Sequence, residues 1–276
     1  MSRGQSVRVP VIETRIPLVR VFFGTDMKAV VAALALVSVV AADRTFTIHN
    51  ACPFTIWPAI FTSGGSAPNY PTGWVAEAST SVSISVPENW NGRFWGRRNC
   101  DFSKTNGPTS CLTGGCNGGL LCDTKTGTGV PPATLAEFNL GANGQDFYDV
   151  SLVDGYNLPV RIENTAGCVV PECAVDLGPG CPANLIGPFD STGFPVGCKT
   201  ACYVESLAGN AANSHNCCSG AFDTPQTCPS SGVQDYSYFK DACPTAYAYA
   251  YDDLTSLFLC DSALKPDYTV TFCPPA

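Results

Sequence analysis

Sixteen cysteines constrain the fold of this chain more than any other feature of its sequence. All of them lie between Cys52 and Cys273, and their number is even. An even number of cysteines in a chain that enters an oxidising compartment predicts that all of them pair in disulfides. Only two histidines accompany them and no CxxC motif is repeated, so a zinc site is not predicted. We therefore expect eight disulfides, no metal and no cofactor.

The N-terminus has the pattern of an export signal rather than of a folded domain. A basic residue precedes a nearly uninterrupted apolar run from Ala29 to Ala42, which ends in small residues. This pattern is typical of a secretory signal peptide, and the run is too short to span a bilayer. We predict a signal peptide at 27–42, preceded by an upstream extension at 1–26 that is disordered. The mature chain would start at Asp43 and be secreted, to the extracellular space or the cell wall.

The charge of the mature chain excludes some classes of partner. The whole sequence has 15 Lys and Arg and 23 Asp and Glu, of which the first 42 residues hold 5 and 2, leaving 10 cations and 21 anions. A surface with a net charge near −11 repels nucleic acid and anionic lipid headgroups. We therefore predict no nucleic-acid binding and no stable membrane insertion. A neutral polysaccharide is the partner that this surface suits, and we expect a monomer.

A β-hairpin is predicted at the centre of the mature chain. Residues 135–140 and 147–152 both alternate in a period of two, which is typical of strands. The chain between them contains an Asn-Gly pair, which favours the positive φ of a tight turn. A turn centred on Asn143 sets Glu137 directly opposite Asp149, with the two side chains roughly 5 Å apart on one face.

Two interpretations of this carboxylate pair are open. Like charges opposed across a ladder are destabilising, so the pair belongs either to a solvated outer face or a shifted register, or to a site for sugar chemistry. In the second case proximity raises the pKa of one carboxyl group and leaves the other an anion. Asp154 can join the pair only if the strand ends near Val153 and Asp154-Gly155 turns the chain.

The remaining pattern predicts a mainly β protein. Strands with little helix favour a flattened antiparallel β-sandwich, accompanied by one cysteine-rich lobe and one small disulfide loop. We assign the sandwich to 43–99, 131–167 and 244–276, the loop to 100–130 and the lobe to 168–243. Within the lobe, 182–185 and 200–207 are the only helix-like pieces.

A run of tyrosines is predicted to lie on a further strand. From Ala246 to Asp253 the sequence is AYAYAYDD, which in a strand puts Tyr247, Tyr249 and Tyr251 on one face. Such a stripe is more typical of half-buried packing than of a platform for sugars.

Several segments together resemble a known family. They are GRFWGRRNCDF, CLTGGCNGGLLC, TLAEFNL, DFYDVSLVDGYNLPV, CAVDLGPGCP, AYAYAYDD and TVTFCP. Through them the mature chain resembles thaumatin-like proteins of the osmotin and pathogenesis-related type 5 class, in which sixteen cysteines occur in the same order. The opening RTFTIHNACPFTIWPAIFT is most similar to fungal members, some of them described as endo-β-1,3-glucanases. One departure is Gly115, which stands where the family's Thr-Gly-Asp-Cys signature has Asp.

The resemblance implies a fold and a set of crosslinks. It implies a β-sandwich, a cysteine-rich lobe with a short helix and a small disulfide loop. The implied disulfides are Cys52–Cys273, Cys100–Cys111, Cys116–Cys122, Cys168–Cys260, Cys173–Cys243, Cys181–Cys198, Cys202–Cys217 and Cys218–Cys228.

The resemblance also implies an acidic cleft between the sandwich and the lobe. The family builds this cleft from one Arg, one Glu and three Asp, which fall here on Arg93, Glu137, Asp149, Asp154 and Asp252. Asp253 replaces Asp252 if the alignment slips by one residue. Phe94, Trp95, Phe147 and Tyr156 are candidates to line the path of the sugar, with core packing as the alternative for at least half of them.

The function expected from this cleft is binding of β-1,3-glucan with slow endo-hydrolysis. Glu137 would be the general acid and one Asp the nucleophile or base: Asp149 in a retaining pair, Asp154 or Asp252 in an inverting one. Arg93 would hold the anionic partner. The alternative is a non-catalytic protein that binds glucan or a receptor and acts against fungi by perturbing membranes. A disulfide-hardened inhibitor of other enzymes is a weaker alternative.

Overall fold

The computed structural model describes residues 43 to 275. The predicted upstream extension, 1–26, and the predicted signal peptide, 27–42, lie outside the described residues. Strands, three short α-helices and four single-turn 3-10 helices make up the regular structure of the described part. The strands are β1 (Arg44–Asn50), β2 (Trp57–Gly64), β3 (Thr80–Val86), β4 (Asn91–Cys100), β5 (Cys111–Thr113), β6 (Leu135–Ala142), β7 (Gln145–Ser151), β8 (Val160–Asn164), β9 (Glu172–Cys173), β10 (Ala246–Tyr247), β11 (Phe258–Asp261) and β12 (Tyr268–Phe272). The α-helices are α1 (Ala201–Leu207), α2 (Tyr236–Ala242) and α3 (Asp253–Ser256).

The strands form two sheets, as the predicted sandwich requires. One sheet has the order β3-β1-β12-β8-β9, and the other has the order β10-β7-β6-β4-β2, with β11 beside β7 and β5 beside β4. Most pairs are antiparallel, but β1 pairs with β12 and β10 pairs with β7 in parallel. The prediction of a mainly β, antiparallel sandwich is therefore confirmed, with two parallel pairs that the prediction did not include. Each parallel pair joins strands far apart in the chain, where no hairpin imposes an antiparallel direction.

An aromatic core holds the two sheets together. Phe46 from the first sheet packs edge-on against Phe138 from the second, with ring centroids 4.8 Å apart, and Tyr268 lies 5.3 Å from Phe138. Trp90 and Phe94 are fully buried in the same cluster. Because inward side chains alternate with outward ones along each strand, the outer face of the second sheet is free to form a site.

All eight disulfides implied by the resemblance are present, and no cysteine of the described chain is free. Cys52–Cys273 fastens the region after β1 to the end of β12, and Cys173–Cys243 ties β9 to the end of α2. Crosslinks of this kind stabilise by restricting the unfolded chain, by a few kcal/mol each in loop-entropy models. The described part forms one compact unit, so the three-part division of the mature chain remains a prediction.

The tyrosine run is not a strand, in contrast to the prediction. Only Ala246–Tyr247 pairs with β7, and the chain then turns and enters α3 at Asp253. The carboxylate of Asp252 accepts a hydrogen bond of 2.8 Å from the backbone N–H of Ala248, which closes this turn. Side-chain bonds of this type compete with the ladder bonds of a strand, and period-two alternation does not reveal them.

The helices agree only in part with the sequence. The predicted helical piece at 200–207 is confirmed as α1, whose first turn is capped by the Thr200 hydroxyl accepting from the Tyr203 N–H. The piece at 182–185 is a turn instead. The sequence reading did not predict α2, which lies in the same lobe.

Candidate functional site: an acidic cleft

The β6–β7 hairpin opposes two carboxylates, as predicted, but by a different route. Asn143 and Gly144 form a two-residue turn with φ of 54° and 79°. With that turn alone, every β6–β7 residue pair would be shifted by one residue from the predicted register. A one-residue bulge in β6, with Gly141 at φ 69°, restores the register, so that Glu137 faces Asp149. The predicted register is confirmed.

A buried carboxylate on the opposite face of the hairpin holds this bulge. Asp146 accepts hydrogen bonds from the Gly141 N–H at 2.9 Å and from the Ser262 hydroxyl at 2.6 Å. Its second oxygen accepts from the Tyr268 hydroxyl at 3.0 Å and lies 3.6 Å from an Arg44 nitrogen. The register of the cleft residues therefore depends on contacts made in the core beneath them.

A row of side chains crosses four strands on the outer face of this sheet. Phe61, Arg93, Glu137 and Asp149 are successive cross-strand partners in β2, β4, β6 and β7. Arg93 lies 6.0 Å from the centre of the Phe61 ring, and its Nη1 is 3.7 Å from Glu137 Oε1. We call Arg93, Glu137 and Asp149 the charged row.

Asp154 reaches the charged row through the turn that the sequence predicted. β7 ends at Ser151, and Gly155 adopts a φ of 89°. The N–H of Gly155 donates a hydrogen bond of 2.8 Å to the Leu152 carbonyl, which closes the turn. Asp154 Oδ2 then lies 3.8 Å from the same Arg93 nitrogen that faces Glu137. The two distances, 3.7 Å and 3.8 Å, limit the separation of these two carboxylate oxygens to at most 7.5 Å. That limit lies within the reach of two-carboxylate hydrolysis, which extends to about 9.5 Å.

The pKa values of both carboxyl groups in the charged row are raised. Burial raises the pKa of Asp149 well above its usual value, and the charges of Glu137 and Asp253 raise it further. Asp149 Oδ1 is also buried without a hydrogen-bond partner within the described residues. Burial raises the pKa of Glu137, Arg93 opposes the rise and Asp154 adds to it. Because the two carboxyl groups face each other across the ladder, a negative charge on Glu137 disfavours ionisation of Asp149.

The pKa of Asp154 is affected in a similar way. Burial raises it, and Arg93 opposes the rise. Asp154 lies beyond the end of β7, so no carboxylate opposes it across a ladder, and Arg93 favours its anionic form.

Asp252 does not belong to the cleft, which corrects the residue-by-residue transfer from the family. Its side chain is only 6% exposed and accepts from the Tyr236 hydroxyl at 2.8 Å. It also pairs with Lys240 Nζ at 3.2 Å. The alternative, Asp253, is exposed, accepts from the Tyr247 hydroxyl at 3.2 Å and is close enough to raise the pKa of Asp149.

Three of the four candidate aromatic residues are buried and do not line the cleft. Phe94 points into the sandwich core, and Tyr156 is buried with its hydroxyl on Asp176. Trp95 shares the face of the charged row, but the small disulfide loop covers it and its indole N–H donates to the Gly114 carbonyl at 2.7 Å. Phe147 is half-buried and lines the cleft.

The cleft extends on both sides of the charged row. One cavity of about 400 Å³ lies toward Asp154 and Tyr247, and a second of about 350 Å³ lies toward Asn139 and Phe147. Glu137 and Asp149 line both cavities. The alternation of the tyrosines predicts packing for Tyr247. Its place in the cleft depends on the turn after β10, which the alternation does not predict.

Neither a metal-binding group nor a membrane-spanning helix is found among the described residues. Between residues 43 and 275, no group of three or more Cys, His, Asp or Glu side chains is arranged to hold a metal ion. None of the helices in the same range combines the length and apolar character needed to cross a bilayer.

The sequence of this chain is similar to those of known proteins. Residues 50–274 match the sequence family described as the Thaumatin family. The pathogenesis-related thaumatin-like protein 3.5 of Cryptomeria japonica is 44% identical over 237 residues, which cover 85% of this chain and 91% of that protein. A protein of Prunus avium named glucan endo-1,3-beta-glucosidase is 38% identical over 257 residues, covering 90% of this chain and all of the relative. These matches do not confirm the predicted similarity to fungal members in particular.

A solved structure shares the fold at low sequence identity. It is a laminaripentaose-producing beta-1,3-glucanase in complex with laminaritetraose, with a TM-score of 0.55 and 13% identity. The match covers 85% of this chain and 99% of that one.

Proposed function

This chain belongs to the thaumatin family, and on that premise we propose that it is a secreted protein that binds β-1,3-glucan in the acidic cleft and slowly hydrolyses internal bonds of that polymer. The relative named glucan endo-1,3-beta-glucosidase supports the substrate class. The observation that carries the proposal is the position of Arg93 between Glu137 and Asp154, with one nitrogen within 4 Å of each carboxylate.

The proposed reaction uses Glu137 as the general acid. Its side chain is 37% exposed and can reach a glycosidic oxygen, while burial and Asp154 raise its pKa so that the proton is retained. Asp149 is half-buried opposite it across the ladder, and burial, Glu137 and Asp253 raise its pKa, which favours a second proton beside Glu137. Protonation of the glycosidic oxygen by Glu137 breaks the bond to the anomeric carbon and releases one end of the glucan.

Asp154 acts as the anionic partner of Glu137. Its carboxylate lies against Arg93 and takes a proton from the water that attacks the anomeric carbon. The upper limit of 7.5 Å on the separation of the two carboxylate oxygens is compatible with an inverting geometry, in which about 6.5–9.5 Å leaves room for this water. The proton lost by Glu137 equals the proton gained by Asp154, so exchange with solvent restores both groups.

An open cleft on both sides of the charged row supports endo rather than exo action. A glucan chain can enter from the side of Tyr247 and leave on the side of Phe147 without a closed end. The net negative charge of the mature part offers no repulsion to a neutral polymer.

The test compares purified wild type with Glu137→Gln on laminarin. We expect release of reducing ends by the wild type and at least a hundredfold lower rate in the variant, with binding of laminarin retained. Equal release by both proteins would remove Glu137 as the acid. Binding without release by the wild type would favour the non-catalytic defence protein, and one relative of this chain is named a pathogenesis-related protein.

Secretion is part of the proposal and has its own test. Eight disulfides need an oxidising compartment, which the secretory route supplies. Expression of the full chain in a eukaryotic host should yield a protein in the medium whose first residue is Asp43. Retention inside the cell with residues 1–42 attached would contradict it.

A further inference from the structure

A second row of side chains lies beside the charged row on the same face of the sheet. Asn91 in β4, Asn139 in β6 and Phe147 in β7 are successive cross-strand partners. Each stands two residues along its strand from Arg93, Glu137 or Asp149, so the two rows are about 7 Å apart. We call Asn91, Asn139 and Phe147 the amide row.

The amide row has unused binding capacity. Asn139 is exposed, and Asn91 and Phe147 are half-buried. Among the hydrogen bonds made by residues 43 to 275, none uses the side-chain amide of Asn91 or Asn139. Each amide offers one acceptor and two donors, so the pair can bind neighbouring hydroxyl groups in either direction.

The surroundings of the amide row form a cavity of suitable size. The row lines the cavity of about 350 Å³, together with Glu137, Asp149 and Leu257. That volume is at the lower end of the range for small-molecule sites, which begins near 300 Å³. The row itself carries no charge, and the half-buried ring of Phe147 presents an apolar surface beside two amides.

We propose that the amide row is a binding subsite for one neutral glucosyl unit of a β-linked chain, beside the two units joined by the bond that the charged row cleaves. Two amides bind ring hydroxyls, and the phenyl ring of Phe147 packs against the C–H groups of the same sugar. The inference rests on the proposed function, because it takes the glucan and the cleavage point from it. It adds which side chains select for a sugar, and on which side of the carboxylates.

A subsite of this kind has a kinetic consequence different from that of the carboxylates. Contacts to a sugar that does not react are made equally in the ground state and in the transition state, so their loss raises KM and leaves kcat unchanged. We expect Asn139→Ala and Phe147→Leu each to raise KM for laminarin, or the Kd where binding is measured, about five- to tenfold. Phe147→Tyr retains the ring and should stay within about twofold of wild type.

The experiment measures kinetics on laminarin and calorimetric binding of laminaripentaose for wild type and the variants. Asn210→Ala is the matched control, because Asn210 is also an exposed asparagine but lies beyond α1, in the lobe. Thermal melting by circular dichroism establishes that each variant is folded.

Three outcomes are distinguishable. Weakened binding in Asn139→Ala and Phe147→Leu, with kcat and the Asn210→Ala control unchanged, supports the subsite. Unchanged KM and Kd in both variants, with wild type binding laminarin, overturns the subsite and leaves the proposed function standing. Failure of the wild type both to bind and to hydrolyse laminarin overturns the proposed function and the subsite with it.

Discussion

The backbone N–H of Gly141 donates a hydrogen bond of 2.9 Å to the buried carboxylate of Asp146. This contact holds the bulge in β6. The bulge shifts the pairing of the hairpin by one residue, so that Glu137 faces Asp149. The bulge needs a positive φ at Gly141, which glycine adopts without steric cost. The geometry of the proposed active site is thus determined on the face of the sheet that substrate never contacts.

Gly141→Ala should therefore lower both stability and glucan binding. An alanine at this position would have to adopt the φ of 69° that Gly141 has, and its Cβ would lie 2.8 Å from the Glu88 carbonyl oxygen. We expect a loss of about 2–3 kcal/mol in the free energy of unfolding, measured by guanidinium titration. Gly144→Ala is the matched control, because Gly144 has a similar φ of 79° but no atom within 4 Å of the added Cβ. It should cost only about 1–2 kcal/mol. Equal losses in the two variants would show that crowding at the bulge is unimportant.

Much of the site followed from local sequence pattern. Period-two alternation predicted that Glu137 and Asp149 share a face, and the Asp154-Gly155 turn was predicted from its dipeptide. These features depend on backbone rules that act over a few residues. The pattern did not reveal the bulge at Gly141, because bulge and turn each shift the register by one residue and the two shifts cancel.

The errors concern contacts made between distant segments. Trp95 lies on the face of the charged row as alternation requires, but the small disulfide loop covers it, and no local pattern indicates that cover. Asp252 and Asp253 are adjacent and chemically identical, so only the turn closed by Asp252 and its pairing with Lys240 show that Asp252 is held away from the cleft.

Asp149→Asn should stabilise the protein, and by an amount that grows with pH. Burial, Glu137 and Asp253 raise the folded-state pKa of Asp149 above its unfolded value of about 3.9. The folded state then binds more protons than the unfolded state between the two pKa values, so stability falls as pH rises through that window. The asparagine carries no proton to lose and avoids this decrease.

The measurement is the melting temperature of wild type and Asp149→Asn from pH 3.5 to pH 8. We expect near-equal values at pH 3.5 and a variant that melts a few degrees higher at pH 8, since about 1 kcal/mol corresponds to about 2–4 °C in a chain of this size. Asp223→Asn, at an exposed position in the lobe, is the control. Its melting temperature should follow that of wild type at every pH. The titrating neighbours Glu137 and Asp154 remain in both proteins. A pH-independent difference would contradict the assignment of a raised pKa to Asp149.

Asp252→Asn and Asp253→Asn should have opposite profiles although they alter adjacent residues. Asp252 is buried against Lys240, whose side chain is only 13% exposed, so neutralising Asp252 leaves a largely buried cation without its anion and should cost about 3 kcal/mol of stability. Asp253 is exposed, and its replacement should change stability by less than about 0.5 kcal/mol. Its removal should instead lower the pKa of Asp149, because one negative neighbour is lost. Chemical denaturation measures the first effect and the pH dependence of melting measures the second. A loss of stability in Asp253→Asn together with unchanged stability in Asp252→Asn would contradict the structural role given to Asp252.

Gly115→Asp, which restores the signature of the family, should destabilise this protein. A Cβ at position 115 would lie 1.9 Å from the carbonyl oxygen of Pro108, so the loop that carries Pro108 has to move before any side chain fits. That loop lies between Cys100 and Cys111, which are joined by a disulfide, and its freedom to move is limited. We expect a loss of about 2–4 kcal/mol, at the upper end of the range for single substitutions.

Gly107→Ala provides the control for Gly115→Asp in the same loop, since nothing lies within 4 Å of a Cβ at position 107. Its stability should stay within about 0.5 kcal/mol of wild type. Because the loop covers Trp95 and lies outside the cleft, hydrolysis of laminarin by folded Gly115→Asp should retain the wild-type pH profile. A Gly115→Asp protein as stable as wild type would mean that the loop closes on Gly115 less tightly than these contacts indicate.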